Sequence, residues 1–191
     1  MDTAGLFFPA SENDPRFESC YYYAPTSRCV FLYLLWQIQV NFRNFAFVDF
    51  GCGKGKTLLL AAELGFREII GVEISRELIA IANDNVKVYL NRTGRDTRCQ
   101  LVCTDARDYR MLPCGPAVFY FHNPFGEEVI REVLKNIERS LAAAPREAYI
   151  VYLNPQHRGP LDESAFLSPM KVTAWYSIHK ASGSLATARN K

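Results

Sequence analysis

The chain has 191 residues, of which 49% are hydrophobic and 22% are charged, and its 22 basic and 20 acidic side chains give a formal net charge of +2. This length fits one domain whose core can fold without disulfides or metals, and the composition excludes a disordered chain, a collagen and a coiled coil. The small net charge gives no indication of a nucleic-acid partner.

Neither a membrane span nor an export signal is expected in this chain. A membrane span needs about 20 apolar residues, and the most apolar stretch covers only residues 30–36. The first residues lack the basic region and apolar core of a secretory signal, so we expect a cytoplasmic protein with no membrane partner. The six cysteines have no zinc-type spacing, so we expect free thiols and no metal site.

The N-terminal part is expected to divide into an arm and the start of a domain. Residues 1–19 are mixed in composition and predict a loosely packed N-terminal arm, whereas residues 20–191 predict a single domain. Pro25 prevents a helix from running in from the N-terminal side, and Thr26 or Ser27 can cap the next helix. That helix is indicated by apolar side chains at i, i+3, i+4 and i+7, namely Phe31, Leu34, Leu35 and Ile38.

Strands and helices alternate along the rest of the chain. Apolar runs predict five strands, at residues 45–50, 68–73, 100–103, 117–121 and 148–153. The segments between them predict helices at residues 58–64, 76–90 and 127–141. The tail predicts a short helix near residues 164–167 and an antiparallel hairpin of strands near residues 172–179 and 185–188, turned at Ser182-Gly183. Trp36 and Trp175 are expected in the core.

This alternation predicts an α/β fold: a three-layer αβα sandwich, Rossmann-like, around a doubly wound, mostly parallel seven-stranded sheet that ends in an antiparallel hairpin. In such a sheet, ligands bind beyond the carboxyl ends of the strands, where the strand order reverses. The chemically unusual residues all follow predicted strands, namely residues 49–55, Glu73, Asp105 and residues 123–125. The sequence therefore predicts a ligand site at this edge of the sheet.

A glycine-rich turn, Gly51-Cys52-Gly53-Lys54-Gly55, joins the first of these strands to its helix. Glycines let a ligand lie against the backbone. Gly55-Lys56-Thr57 matches the end of a P-loop, but Phe50 stands where the first glycine of that motif belongs. A dinucleotide fingerprint also fits incompletely, because its third glycine belongs one position after Gly55.

A third interpretation of this turn rests on a family resemblance. Val48-Asp49-Phe50-Gly51-Cys52-Gly53-Lys54-Gly55 resembles motif I of the class I S-adenosylmethionine-dependent methyltransferases, and the resemblance extends over about residues 21–190. It includes an acid that ends the second strand, Glu73, an acid after the third, Asp105, and an Asn-Pro after the fourth. The resemblance implies methyltransferase activity, the seven-strand fold, and S-adenosyl-L-methionine as the methyl donor.

The same resemblance implies roles for the donor-side residues. Glu73 would accept hydrogen bonds from both ribose hydroxyls, because a carboxylate offers two acceptor oxygens. Asp105 would accept from the adenine amine, with the Ala106 N–H facing a ring nitrogen. The turn, namely Gly51, Cys52, Gly53 and Gly55, would admit the amino acid tail, and Asp49 would either orient this turn or bind the ammonium of the tail. Thr26 would reach the tail, and Asn123 is a further donor-binding candidate. One of the tyrosines at positions 21–23 would cover the donor, and the Cys52 side chain is expected to be a packing residue.

The acceptor side is predicted from His122-Asn123-Pro124-Phe125, which resembles motif IV of amino-group methyltransferases. In that motif an amide oxygen and a backbone carbonyl hold the target amine, so Asn123, Pro124 and Phe125 are the candidate catalytic residues, with Phe125 stacking on the substrate or forming a pocket wall. The loop has one proline rather than two, and more loosely resembles a loop of seven-strand lysine methyltransferases. His122 is a candidate base because the ordinary pKa of histidine is about 6.5, but a continued strand pleat would turn its side chain away from the site.

We therefore expect a methyl acceptor that is a protein lysine or a small amine, with no obvious general base required, because positioning alone lowers such a barrier substantially. Two alternatives stay open. One is a non-catalytic S-adenosylmethionine-binding protein with a regulatory or scaffold role. The other is a P-loop-like nucleotide-binding protein.

Overall fold

The computed structural model describes residues 25–182. The predicted N-terminal arm, the tyrosines at positions 21–23 and the strand expected near residues 185–188 lie outside this part of the chain. The helices of the described part are α1 (Arg28–Trp36), α2 (Lys56–Leu64), α3 (Arg76–Thr93), α4 (Glu127–Ala143) and α5 (Gly159–Asp162). The strands are β1 (Ala46–Phe50), β2 (Glu68–Glu73), β3 (Arg98–Cys103), β4 (Ala117–His122), β5 (Ala148–Leu153), β6 (Leu167–Val172) and β7 (Tyr176–Ala181).

The strands form one seven-stranded sheet in the order β3-β2-β1-β4-β5-β7-β6. Strands β1 to β5 pair in parallel, whereas β7 lies antiparallel between β5 and β6. The order reverses between β1 and β4, so the carboxyl ends of these two strands flank the switch point at which doubly wound sheets bind ligands. The predicted fold class is confirmed.

Alternate side chains of the central strands pack on opposite faces of the sheet. On β4, Phe119 and Phe121 face the layer that contains α4 and α5, whereas Val118 and Tyr120 face the layer of α1, α2 and α3. Every residue of β1 is buried, as the predicted continuous apolar run requires of a strand covered on both faces. The result is the predicted three-layer sandwich.

Local signals fix the helix ends close to their predicted positions. The Ser27 side chain caps α1 by accepting from the Val30 N–H, and the Ser75 side chain caps α3 by accepting from the Leu78 N–H. Gly65 and Gly94 end α2 and α3 in the left-handed conformation, which glycine adopts without the steric cost of a Cβ atom.

The C-terminal hairpin forms earlier in the chain than the sequence predicts. The short helix is α5 rather than residues 164–167, and the hairpin of the described residues turns between β6 and β7, whereas Gly183 of the predicted turn lies outside them. The turn is closed by Thr173, whose Oγ1 accepts from the backbone N–H groups of Trp175 and Tyr176. Pro169 is tolerated in β6 because this strand is the edge of the sheet and shows a register shift there.

The two tryptophans are the clearest error in the predicted core. Trp36 ends α1 with 69% of its surface exposed, and Trp175 lies in the β6–β7 turn with 77% exposed. Their apolar character suggested burial, but Trp36 is the last residue of its helix and Trp175 lies in a turn, so neither side chain packs into the core. Among the described residues, no helix is both long and apolar enough to cross a membrane.

Candidate active site

A cleft of about 890 Å³, its open mouth included, lies at the carboxyl ends of β1, β2, β3 and β4. Its wall contains the predicted donor-side residues Thr26, Asp49, Gly51, Cys52, Gly53, Glu73, Asp105 and Ala106, together with Asn123, Pro124 and Phe125. Gly55 is the exception among the predicted site residues, because it does not line the cleft. The switch point of the sheet therefore brings together residues that lie up to about a hundred positions apart in the chain.

The glycine turn owes its shape to left-handed backbone at Gly51 (φ +80°), Gly53 (φ +53°) and Gly55 (φ +79°). A Cβ atom placed on Gly51 would lie 2.5 Å from Pro124 Cβ, so the turn after β1 lies directly against the Asn-Pro loop after β4. A Cβ atom on Gly55 would lie 3.1 Å from Ala82 Cβ. Gly55 therefore serves the packing of α2 on α3, whereas Gly51 joins the two loops of the cleft.

Glu73 ends β2 with its carboxylate buried in the cleft wall. Its Oε2 accepts from the Gly53 N–H at 3.0 Å, and its Oε1 accepts from the Ser75 N–H at 3.0 Å. Burial raises the pKa of this carboxyl, while the backbone N–H groups act in the opposite direction. Because each carboxylate oxygen accepts more than one hydrogen bond, Glu73 can hold the glycine turn and a ligand hydroxyl together.

Asp49 is buried at the end of β1, where its carboxylate accepts a hydrogen bond from the Thr57 hydroxyl of α2. Burial raises the pKa of Asp49 from 3.8 to about 7, and the nearby Glu73 adds to this increase, while the Thr57 hydrogen bond opposes it. A carboxyl in this condition is well suited to a cationic ligand group, which would restore its ionised form.

The raised pKa of Asp49 makes stability without ligand depend on pH. Between about pH 4 and pH 7 the folded protein binds a proton that the unfolded chain has lost, so the free energy of unfolding falls as the pH rises through this range. We expect Asp49→Asn to remove this contribution, so that the variant gains stability relative to the wild type between about pH 5 and about pH 8. Urea unfolding of both proteins at about pH 5 and about pH 8 measures their free energies of unfolding. A difference between variant and wild type that is the same at both pH values would contradict this account.

Asp105 and Ala106 lie at the β3 side of the cleft, as predicted. The Asp105 carboxylate binds the Arg107 guanidinium, with Nη2 to Oδ2 at 2.7 Å, and its Oδ1 also accepts from the Arg107 backbone N–H at 2.9 Å. This arrangement stiffens the turn after β3. It also places a cation beside the carboxylate proposed for adenine, a feature that the strand-end pattern did not indicate.

Thr26 is buried in the segment before α1 and forms a hydrogen-bonded row with two side chains of β4. Its Oγ1 lies 3.0 Å from the Tyr120 hydroxyl and 3.0 Å from His122 Nδ1, and all three residues line the cleft. The expectation that His122 points away from the site is wrong. His122 lies on the same face of β4 as Tyr120, and Thr26 contacts both side chains at the cleft wall.

Asn123 leaves the strand in a left-handed conformation (φ +41°), which breaks the alternation of the pleat. Both His122 and Asn123 can therefore line the same cleft. The Tyr152 hydroxyl donates to Asn123 Oδ1 at 3.2 Å, which fixes the amide without exhausting its acceptor capacity. Phe125 is buried against Phe121, so it forms a wall of the pocket rather than an exposed stacking surface.

Several residues were not predicted: Tyr120, Lys56 and Thr57 line the cleft, and Tyr152 contacts Asn123 of its wall. Tyr120 and Tyr152 occur inside apolar strand runs, so the sequence pattern assigns them to the core, and nothing in that pattern marks their hydroxyls as part of the site. Lys56 and Thr57 follow the glycine turn and line the cleft, but were considered only as parts of a P-loop. The signal that could have identified Thr57 is its position in the first turn of a helix that starts beside Asp49.

The strand order and the cleft at the switch point define a Rossmann-like protein with a ligand site between the glycine turn and the Asn-Pro loop. Residues 47–144, just over half of the chain, match the sequence model of the methyltransferase domain family. The chain belongs to this family, and the prediction of a class I methyltransferase is confirmed.

Individual relatives are distant. A ribosomal protein L11 methyltransferase of Photorhabdus laumondii is 24% identical over 136 residues, which cover 66% of this chain and 45% of that protein. The chain spans less than half the length of the curated relatives it matches. Among solved structures, a putative methyltransferase of Escherichia coli, yhhF, is 18% identical with a TM-score of 0.63, covering 82% of this chain and 88% of that chain. An RNA methyltransferase of Salinibacter ruber in complex with S-adenosyl-L-homocysteine is 13% identical with a TM-score of 0.58, covering 87% of this chain and 98% of that chain.

Proposed function

We propose that this protein transfers a methyl group from S-adenosyl-L-methionine to a nitrogen atom of a protein lysine or a small amine. The observation that carries the proposal is the close approach of Gly51 to Pro124. A Cβ atom added to Gly51 would lie only 2.5 Å from Pro124 Cβ. Because of it, the turn that would hold the donor and the loop that would hold the acceptor share one wall of the cleft.

The donor side fits the chemistry of S-adenosyl-L-methionine, which supplies a methyl group bound to a sulfonium. Glu73 would accept hydrogen bonds from the ribose hydroxyls while it still accepts the hydrogen bond from the Gly53 N–H. Asp49, with its raised pKa, would bind the ammonium of the amino acid tail, and the cation would bring the carboxylate back to its ionised form. The residues after β3, Asp105 and Ala106, would frame the adenine.

The acceptor side is supported by the Asn123-Pro124 loop. The Tyr152 hydroxyl holds the Asn123 amide in place, and Phe125 closes the wall behind it. An amide oxygen and a backbone carbonyl at this position would accept from an amine and aim its electron pair at the methyl group. Positioning of this kind is worth about 7–11 kcal/mol in favourable reactions. The curated relatives are named as methyltransferases of a ribosomal protein, which favours a protein acceptor.

Methyl transfer is tested by incubating the protein with methyl-labelled S-adenosyl-L-methionine and a set of acceptors. The set comprises lysine-containing peptides, the same peptides with arginine in place of lysine, and small primary amines. We expect label in a nitrogen-containing product, with lysine peptides favoured over their arginine counterparts. Donor binding without transfer to any of these acceptors would instead support the non-catalytic binding protein.

The P-loop alternative has little support in this structure. In a P-loop the hydroxyl after the lysine binds magnesium, whereas the Thr57 hydroxyl donates to Asp49. The family match is to methyltransferases. Magnesium-dependent ATP binding, unaffected by loss of the Glu73 carboxylate, would reverse this conclusion.

A further inference from the structure

We propose that His122 accepts a proton from the acceptor amine before the methyl group is transferred, and that Thr26 is the residue that positions its ring. This inference rests on the proposed function, because it assigns a proton acceptor to the same nitrogen substrate. It assigns a general base to a site for which the sequence required no obvious one.

The hydrogen-bonded row on the cleft wall is the first support. His122 Nδ1 and the Tyr120 hydroxyl each lie 3.0 Å from Thr26 Oγ1. Thr26 and Tyr120 are buried, whereas His122 is half-buried and precedes Asn123 directly. The imidazole is therefore held at the rigid end of β4, beside the loop proposed to hold the acceptor.

The direction of the two hydrogen bonds in this row sets which ring nitrogen is basic, because each hydroxyl can either donate or accept. Burial raises the pKa of the Tyr120 hydroxyl well above its ordinary range, so this group keeps its proton. In the arrangement that we infer, the ring Nδ1–H donates to Thr26 Oγ1, and Thr26 donates to the Tyr120 oxygen. The basic electron pair of the neutral ring then lies on Nε2. Holding Nδ1 in this way orients the imidazole, as the carboxylate of a catalytic triad orients its histidine.

The proposed step is balanced in atoms and electrons. A protonated amine first gives a proton to His122 Nε2, which frees the electron pair of the nitrogen. That pair forms the new N–C bond while the C–S bond of the donor breaks, and the sulfur keeps the electrons of the broken bond. The imidazolium then releases its proton to water.

Other ionisable groups also face this part of the cleft, so a pH effect must be separated from theirs. They belong to β1, β2, β4, the turns after β1 and β3, and α2, and they are Asp49, Cys52, Lys56, Glu73, Asp105 and Tyr120. Two ligands that share the adenosine and the amino acid tail make the same contacts with these groups, so titration of these groups changes both affinities equally. The ratio of their affinities then reports mainly on groups near the position of the transferred methyl.

The test compares S-adenosyl-L-homocysteine with sinefungin, in which an amine-bearing carbon replaces the methyl-bearing sulfonium. A neutral His122 near this amine favours sinefungin, and a protonated ring repels it. We expect the preference for sinefungin to fall about tenfold from about pH 8 to about pH 5.5, the effect of one pKa unit between the two complexes. Calorimetric titration of both ligands measures the preference without using activity.

Three variants make the test specific. His122→Gln should give a preference that is constant over this pH range, because glutamine does not titrate. Thr26→Val should reduce the pH dependence, since the ring loses its Nδ1 partner, whereas Thr26→Ser keeps the hydroxyl and should retain it. A constant preference in the wild type, or the wild-type pH dependence in His122→Gln, would overturn the inference and leave the proposed function intact. Failure of both ligands to bind would overturn the proposed function and the inference with it.

Discussion

Replacement of Gly51 by alanine is expected to abolish methyl transfer and to weaken S-adenosyl-L-methionine binding by about 100-fold or more, equivalent to about 2.7 kcal/mol. The added Cβ atom would lie 2.5 Å from Pro124 Cβ, so either the glycine turn or the Asn-Pro loop must move. Left-handed backbone at φ +80° adds a cost of about 1–2 kcal/mol for a residue with a side chain. The alanine side chain would therefore disturb both the proposed donor site and the proposed acceptor site.

Gly65 provides the matched control for this substitution. It has nearly the same backbone conformation, φ +79°, but an added Cβ atom there would meet only the Arg43 side chain at 3.8 Å. Gly65→Ala should therefore lower the free energy of unfolding by about 1 kcal/mol through backbone strain and leave binding and turnover of the folded protein unchanged. Equal binding losses in both variants would mean that strain, rather than contact with Pro124, explains the effect.

Replacement of Asn123 by alanine is expected to lower turnover by about 10–1000-fold, equivalent to about 1.4–4 kcal/mol, with little change in donor affinity. The amide would hold the acceptor nitrogen, and its hydrogen bond with the Tyr152 hydroxyl at 3.2 Å would be lost as well. Single-turnover rates with labelled donor, combined with donor titrations, separate the two effects.

The chain contains a second Asn-Pro that serves as a control for this variant. Asn154 follows β5, precedes Pro155 and is also left-handed (φ +52°), but it is exposed and is not among the residues that line the cleft. Asn154→Ala imposes a comparable backbone change at the neighbouring strand end. We expect its turnover to equal that of the wild type, and normal turnover in Asn123→Ala would remove the role assigned to this amide.

Much of the donor side could be predicted because its residues follow strands directly. In a parallel sheet, the carboxyl end of each strand lies at the ligand edge, so the place of Asp49, Glu73 and Asp105 in the cleft could be predicted from the strands that they follow. Their roles toward a donor came only from the family resemblance. The glycine turn was equally visible, since only residues without a side chain fit its conformation. What could not be predicted is that Gly55 supports helix packing and that Arg107 occupies the Asp105 carboxylate.

The acceptor side was harder to predict because it depends on contacts between distant segments. His122 and Thr26 meet across nearly a hundred residues, and the left-handed Asn123 breaks the pleat on which the sequence prediction relied. The C-terminal hairpin was misplaced for a related reason. Its turn is held by the Thr173 hydroxyl, whereas Ser182-Gly183 was the more conspicuous turn signal in the sequence.

Calorimetric titration with S-adenosyl-L-methionine tests the central claim most directly when the wild type is compared with Glu73→Gln and Glu68→Gln. Both glutamates lie on β2, but Glu73 ends the strand in the cleft, whereas Glu68 begins it and pairs with Arg98 at 3.5 Å. We predict binding to the wild type, unchanged binding to Glu68→Gln, and roughly 100-fold weaker binding to Glu73→Gln, because charge-assisted hydrogen bonds contribute about 1.5–3 kcal/mol each. No binding to the wild type, or equal binding to all three proteins, would contradict the assignment of this cleft as the methyl-donor site.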